Sequence, residues 1–372
     1  MKNEYEKYNI KKVINASGKM TILGGSKVSE DVYEQMSFGA QHFFEIKDLL
    51  DKTGSYLASL MNVESAYIVN SASGGIAQSV AACITLKNQC SPLDLYCLEN
   101  KKREVVICKG HNVDYGTPIE LTIGLGGGHV VEAGYANACT IDHIQSKITE
   151  NTVALIYVKS HHCVQKGMPD VSSFIDLAHK NHLPVIVDAA AEEDLLAYYQ
   201  LGADVVIYSG TKALEGPTSG LLIGKKSFID HVKKQSQGIG RVMKVGKENI
   251  LGLTYAIEKY LSHQHMSLQQ QTQRFEKFNQ QLNQVKGVQA RCVQDSAGRE
   301  IIRSEISFDE KQLHMNASVI AKKLKEGPVC IYTRDYLSNV GKLEIDIRDV
   351  DDHELKMIYD KLMNIIGGQN NE

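Results

Sequence analysis

Six apolar runs of strand length, SAYIVN, EVVIC, VALIYV, PVIVD, DVVIYS and GLLIG, alternate with helix-patterned segments from about Ser65 to Gly220. They are nearly continuous Val, Ile and Leu rather than strictly alternating. A strand that is apolar on both sides must be covered on both, which is the condition of a mainly parallel sheet between two helical layers. The expected fold class is therefore α/β. With 372 residues the chain exceeds one simple core and suits two domains. After about Val245 the pattern changes to a Gln-rich, proline-free stretch, ENILGLTYAIEKYLSHQHMSLQQQTQRFEKFNQQLNQV, expected to form a linking helix. RSEISF, VCIYTR and KLEIDI then read as short strands before a last helix, DDHELKMIYDKLMNII. The expected division is an N-terminal arm over 1–30, a large domain over 31–245, and the linking helix with a small α+β domain over 246–372.

Composition removes several function classes. Hydrophobic residues at 43% and charged residues at 23% are ordinary globular values, so neither disorder nor a fibrous repeat is expected. A net charge of -3 gives no global attraction to nucleic acid, and the one dense basic cluster, Lys101 to Arg103, reads as a solvated loop end. No apolar stretch approaches the roughly 20 residues that span a bilayer, and MKNEYEKYNIKK lacks a signal-peptide apolar region. A cytoplasmic protein with a small-molecule partner is the expectation. The eight cysteines include no C-x-x-C pair, which points to free buried thiols and to no metal site. Cys163 follows His161 and His162, but a nucleophilic thiol needs a base in space, not merely in sequence.

Sheets of this type bind ligands beyond the carboxyl ends of their strands. The residues there are polar: Ser71 and Ser73, His111, His161, Asp188 and Ser209. Straight after the DVVIYS run comes Lys212, in the glycine-bounded turn Ser209-Gly-Thr-Lys-Ala-Leu-Glu-Gly-Pro217. A lysine held there is partly desolvated, which favours the neutral amine that a cofactor aldehyde requires. The alternative is a loop lysine reaching solvent. Asp188 suits a partner for a protonated ring nitrogen, or else a helix cap. Ser73, Gly74 and Gly75 lie in a small-residue strand-to-helix turn, a seat for phosphate or simply a tight capped turn. Gly124 to Gly128 falls short of a dinucleotide loop, since His129 stands where the last glycine belongs; it reads as a mobile loop near the cleft.

Taken together, VINASG (13–18), the turn at 73–75, VIVDAAAEED (185–194), SGTKALEGPTSGLLIGKK from Ser209 and RVMKVGKENILGL from Arg241 resemble the bacterial selenocysteine synthase (L-seryl-tRNA selenium transferase)-like family of fold-type I pyridoxal 5′-phosphate (PLP) enzymes. The resemblance covers most of the chain. It implies a Schiff base at Lys212, Asp188 as the pyridinium partner, and Ser73, Gly74, Gly75 and Ser209 around the cofactor phosphate, with His111 facing the ring. A strand-end histidine bonded to backbone is the other reading of His111. The resemblance also implies a substrate carboxylate held by Arg348, with Arg334 competing, and Arg241, Lys244 and Lys247 serving a substrate phosphate or a neighbouring subunit's cofactor.

The activity so implied is an ammonia-lyase reaction, dehydration and deamination of a 2-amino-3-hydroxy sugar acid, in a homodimer or higher homo-oligomer. Lys212 would take the Cα proton, and Lys212 itself or His161 would protonate the leaving hydroxyl. The rivals are a seryl-tRNA selenium transferase, disfavoured by the short segment before Val13 and the slightly acidic charge, and a non-catalytic paralogue.

Overall fold

The computed structural model describes residues 3–99, 101–160, 162–262, 266–295 and 300–367. Among these are twelve strands: β1 (Lys12–Ala16), β2 (Ser65–Val69), β3 (Glu104–Cys108), β4 (His129–Ala133), β5 (Thr152–Val158), β6 (Val185–Asp188), β7 (Val205–Ser209), β8 (Gly220–Gly224), β9 (Val288–Gln294), β10 (Ile302–Phe308), β11 (Val329–Thr333) and β12 (Lys342–Asp346). Contacts divide the chain into one unit of residues 26–262 and another of 1–25 with 263–372.

The larger unit is a seven-stranded sheet in the order β2-β8-β7-β6-β5-β3-β4, parallel except for β8, which runs against both neighbours. Successive residues of its central strands enter different cores. Val106, Leu155, Val187 and Val206 pack on one side, and Val105, Ile156, Ile186 and Ile207 on the other. Two covered faces explain the unbroken apolar runs. The helix Ala72–Asn88 is buried over most of its circumference, as a helix without a polar stripe must be.

The smaller unit holds the antiparallel sheet β12-β10-β9 and the parallel pair β1-β11. Its core joins Ile14, Phe275, Ile306, Ile320, Leu343, Ile345 and Ile358. Because β1 pairs with β11 from Lys12↔Val329 to Ala16↔Thr333, the first residues belong to this unit rather than forming an arm. The expected linking helix is two helices, Lys247–Ser262 and Leu268–Leu282, and the first lies in the larger unit. The expected boundaries at 30 and 245 therefore move to 25 and 262.

The glycine segment before His129 is no open loop. Ile119–Leu125 is helical, and a Cβ on Gly126 would stand 2.4 Å from the Ala77 carbonyl oxygen, so the turn is seated against the central helix before the chain enters β4.

Candidate functional site

Asp188 ends β6 and is 6% exposed. The chain beyond it stays beside β7, with Ala189 N–H donating to Ile207 O (3.0 Å) and Ser209 N–H to Ala190 O (3.2 Å). This pairing brings Asp188 alongside the turn that carries Lys212. The turn is drawn tight by Gly210 N–H to Ser219 O (2.8 Å), Gly216 N–H to Gly210 O (2.7 Å) and Lys212 N–H to Ser209 O (3.4 Å). Burial pushes the Asp188 carboxyl up, while the charge of Lys212 and the Ala190 N–H (3.1 Å to Oδ1) pull it down. A buried carboxyl in this position gains from a cationic partner. The Ala190 bond closes a local turn; no helix starts until Ala197, so Asp188 caps none.

Ser71, not Ser73, caps the helix Ala72–Asn88, its Oγ accepting from Gly74 N–H at 2.9 Å. Gly75 N–H donates to Ser71 O at 2.9 Å. Both glycine N–H groups are thus used inside the turn, a correction to their expected place among the phosphate donors. Their size serves packing. A Cβ on Gly74 would lie 1.9 Å from Asn70 Oδ1, and one on Gly75 would lie 2.8 Å from Leu222 and 3.1 Å from Ile207. Ala72 and Ser73 remain as the first-turn N–H groups suited to an anion. Ser209 Oγ and Thr211 Oγ1 stand 3.3 Å apart in the same unit.

Tyr115 belongs to this neighbourhood, although nothing in its sequence setting marks it. Its hydroxyl lies 3.4 Å from Thr122 Oγ1. Burial raises its phenol, and the Asp188 charge adds to that rise. His162 is exposed; desolvation and then the charge of Lys212 lower its imidazole, opposed by Asp114. His161, the sequence's candidate acid, lies outside the described residues. Cys163 is buried, and burial followed by the Asp188 charge pushes its thiol up to about 12, which disqualifies it as a nucleophile at neutral pH.

Three expected site residues do other work. His111 is 0% exposed, edge-on to Tyr157 at 4.5 Å between ring centroids, with Nε2 buried and lacking a hydrogen-bond partner among the described residues. It lies beneath the site's surface and does not present a ring face. Lys247 donates to the carbonyls of Gly39 (2.7 Å), Ala40 (2.7 Å) and His42 (2.6 Å), so its three donors close the end of the helix Glu30–Gln41. That geometry takes it out of the expected phosphate set. Arg334 is paired with Glu344 at 3.0 Å. Arg241 and Lys244 are exposed, and Arg348 is bound to Asp346 through Nε (3.0 Å) and Nη2 (2.9 Å).

The state of His111 has a consequence for stability. Burial, then the Lys159 charge, hold its imidazole to about 4 against an ordinary 6.5, with a backbone hydrogen bond at Val164 opposing. Between those values the unfolded chain binds a proton that the folded chain refuses, so stability falls as pH falls through the window. We expect His111→Gln to flatten this slope, by on the order of 3 kcal/mol across the window. Denaturant titrations of both proteins from about pH 7 to about pH 4 check it; parallel slopes would contradict it.

Comparison with known proteins places this geometry in context. The chain is 44% identical over 363 residues, 98% of each chain, to D-glucosaminate-6-phosphate ammonia lyase of Salmonella typhimurium. It is 36% identical to the 5'-C-glycyluridine monooxygenase-decarboxylase of a Streptomyces species, over 93% of this chain and 87% of the relative. It is 25% identical to the L-seryl-tRNA(Sec) selenium transferase of Aquifex aeolicus, over 97% of this chain and 85% of the relative. A solved structure of D-glucosaminate-6-phosphate ammonia-lyase superposes with a TM-score of 0.93, at 42% identity and complete coverage of both chains. A Thermus thermophilus aspartate aminotransferase shares the fold at a TM-score of 0.52 and 12% identity, covering 96% of this chain and 93% of that one. Matched from residue 13 to residue 365 by the model described as L-seryl-tRNA selenium transferase, the chain belongs to the SelA family.

Proposed function

We propose that the chain is a PLP-dependent ammonia-lyase that dehydrates and deaminates a 2-amino-3-hydroxy sugar acid, D-glucosaminate 6-phosphate, to 2-keto-3-deoxy-6-phosphogluconate and ammonia. The observation that carries the reading is Lys212 beside the buried Asp188 at the carboxyl ends of neighbouring strands, in a chain matching an enzyme named for that substrate over 98% of both lengths.

The donor set suits the cofactor. Asp188 is a buried carboxyl that needs a cation, Ser73 with Ser209 and Thr211 offers hydroxyls to a phosphate, and Lys212 supplies the amine. When bound, PLP supplies a protonated ring that takes up the electrons left at Cα. Asp188 would hold the proton on that ring's nitrogen. With the cofactor bound, Lys212 would remove the Cα proton as general base. The 3-hydroxyl departs with a proton as water, and water then replaces nitrogen at C2 as ammonia leaves, so no external oxidant is needed. Lys212 and His162, whose imidazole is lowered first by desolvation and then by the Lys212 charge, are the candidates to hand on that proton.

Arg348 is assigned the substrate carboxylate, since its planar fork suits bidentate recognition. Arg241 and Lys244 are assigned the terminal phosphate. We also infer a cytoplasmic homo-oligomer. Its support is an apolar surface on one short segment, with Phe43 99%, Tyr33 55% and Phe38 49% exposed. No helix among the described residues is long and apolar enough to cross a membrane.

The test is to supply D-glucosaminate 6-phosphate and D-glucosaminate separately and to measure 2-keto acid and ammonia. Phosphate contacts remote from the reacting carbon raise turnover through orientation, so kcat/KM should favour the phosphorylated substrate by at least about tenfold. Equal rates would remove the sugar-phosphate assignment. No keto acid from either, with cofactor bound, would remove the reaction class.

A further inference from the structure

We propose that Asp346 is the positioning residue of a carboxylate-recognition site, clamping Arg348 along one edge of its guanidinium while Gly18 provides the clearance in which that guanidinium lies. The inference rests on the assignment of Arg348 to the substrate carboxylate.

The geometry is that of a clamp. Asp346 Oδ1 accepts from Arg348 Nε at 3.0 Å and Oδ2 accepts from Nη2 at 2.9 Å, so both oxygens engage one edge of the planar fork. A third bond, from Arg348 N–H to Oδ1 at 3.2 Å, ties backbone to the same carboxylate. The Asp346 side chain is 0% exposed, whereas that of Arg348 is 25% exposed. The anchor is buried and the group it holds is not. A guanidinium gripped on its Nε–Nη2 edge can offer a carboxylate only its Nη1–Nη2 edge, which is the parallel two-donor arrangement such a ligand accepts.

The surroundings of Asp346 are costly to keep for stability alone. Across β10 and β12, Arg303 stands opposite Asp346 and donates from Nε to Oδ2 at 3.2 Å; its Nη1 donates to the buried Asp295. Arg303 Nη2 is buried without a hydrogen-bond partner among the described residues. A buried ion chain that leaves a donor unmade is weaker than apolar packing of the same volume, so its retention points to orientation rather than stability. Burial alone would raise the Asp346 carboxyl, but Arg348 and then Arg303 bring it down to about 2, so the clamp stays ionised at working pH.

Gly18 closes the arrangement. Its φ of +88° is left-handed, and a Cβ there would stand 2.9 Å from Asp346 Oδ2 and 3.1 Å from Arg348 Nη2. The VINASG turn is shaped to deliver it: Asn15 Nδ2 donates to Gly18 O at 2.8 Å, and Ser17 N–H donates to Asn15 Oδ1 at 3.0 Å. Lys19, next in the chain, pairs with Asp349, next after Arg348.

The experiment compares Arg348→Gln, Asp346→Asn, Gly18→Ala and the double variant Arg348→Gln with Asp346→Asn in cofactor-loaded enzyme. It reads kcat, KM for D-glucosaminate 6-phosphate, and Tm. We expect each single variant to raise KM by about tenfold or more, with a smaller change in kcat, and the double variant to be no worse than Arg348→Gln. Asp346→Asn strands two arginine charges and can misfold; Gly18→Ala removes no charge and then decides alone. If Arg348→Gln raises KM while folded Asp346→Asn or Gly18→Ala keeps the wild-type value, the clamp is only structural and the inference is overturned. A wild-type KM in Arg348→Gln overturns the carboxylate assignment itself, and the clamp with it.

Discussion

Lys212→Ala is expected to lower kcat by at least about a thousandfold, because one side chain is asked both to seat the cofactor and to move the Cα proton. The fold should survive the change. Lys212 is only half-buried, and the turn around it is held by backbone bonds from Gly210 and Gly216. Circular dichroism and Tm close to wild type, with keto-acid release at background, are the expected readings. Turnover within about tenfold of wild type would leave Lys212 as an ordinary loop lysine and remove the base from the mechanism.

The second large effect is at Asp188. Asp188→Asn keeps the volume and can still accept from Ala190 N–H, the local bond that the carboxylate makes, so stability should change little. A neutral amide cannot hold a proton on the ring nitrogen, and kcat should fall on the order of a hundredfold or more. Cofactor binding can persist with an altered absorption spectrum. An Asp188→Asn enzyme with wild-type kcat and spectrum would show that the carboxylate serves only the turn at Ala190.

The strands most legible in the sequence are those buried on both faces, where physics leaves one reading: β2, β3, β5, β6, β7 and β8; RSEISF, VCIYTR and KLEIDI are read as well, and form β10, β11 and β12. β4 and β9 escape for the opposite reason. β4 lies at the sheet's edge, with His129 exposed and Glu132 half-buried, and β9 alternates polar residues on a sheet with one wet face. The Gln-rich stretch reads as one helix because it lacks proline, yet it carries a signal for the second helix. Ser267 and Gln270 form a reciprocal capping box that starts Leu268–Leu282.

For the site, Lys212 and Asp188 are legible because each follows or ends a strand, and the sheet's geometry then brings neighbouring strand ends together. Lys247 is not, because the carbonyls of Gly39, Ala40 and His42 that it caps lie 208, 207 and 205 positions away in the chain. His111 fits a strand-end pattern equally well above or below the site's surface, and only the packing of Tyr157 against it decides. Gly74 and Gly75 sit in the expected turn but act differently within it. Their N–H groups bond to Ser71, and their missing side chains leave room for Asn70, Ile207 and Leu222.

The central claim is that this chain carries PLP on Lys212, and reduction followed by peptide mapping tests it most directly. Purified holoenzyme is treated with borohydride, digested, and the cofactor-bearing peptide is identified by mass. The account predicts the reduced cofactor on the peptide containing Ser209-Gly-Thr-Lys212, with Lys19 and Lys247 unmodified, since both are engaged in contacts of their own. Cofactor fixed to Lys19, Lys247 or any other lysine, with Lys212 untouched, would contradict it.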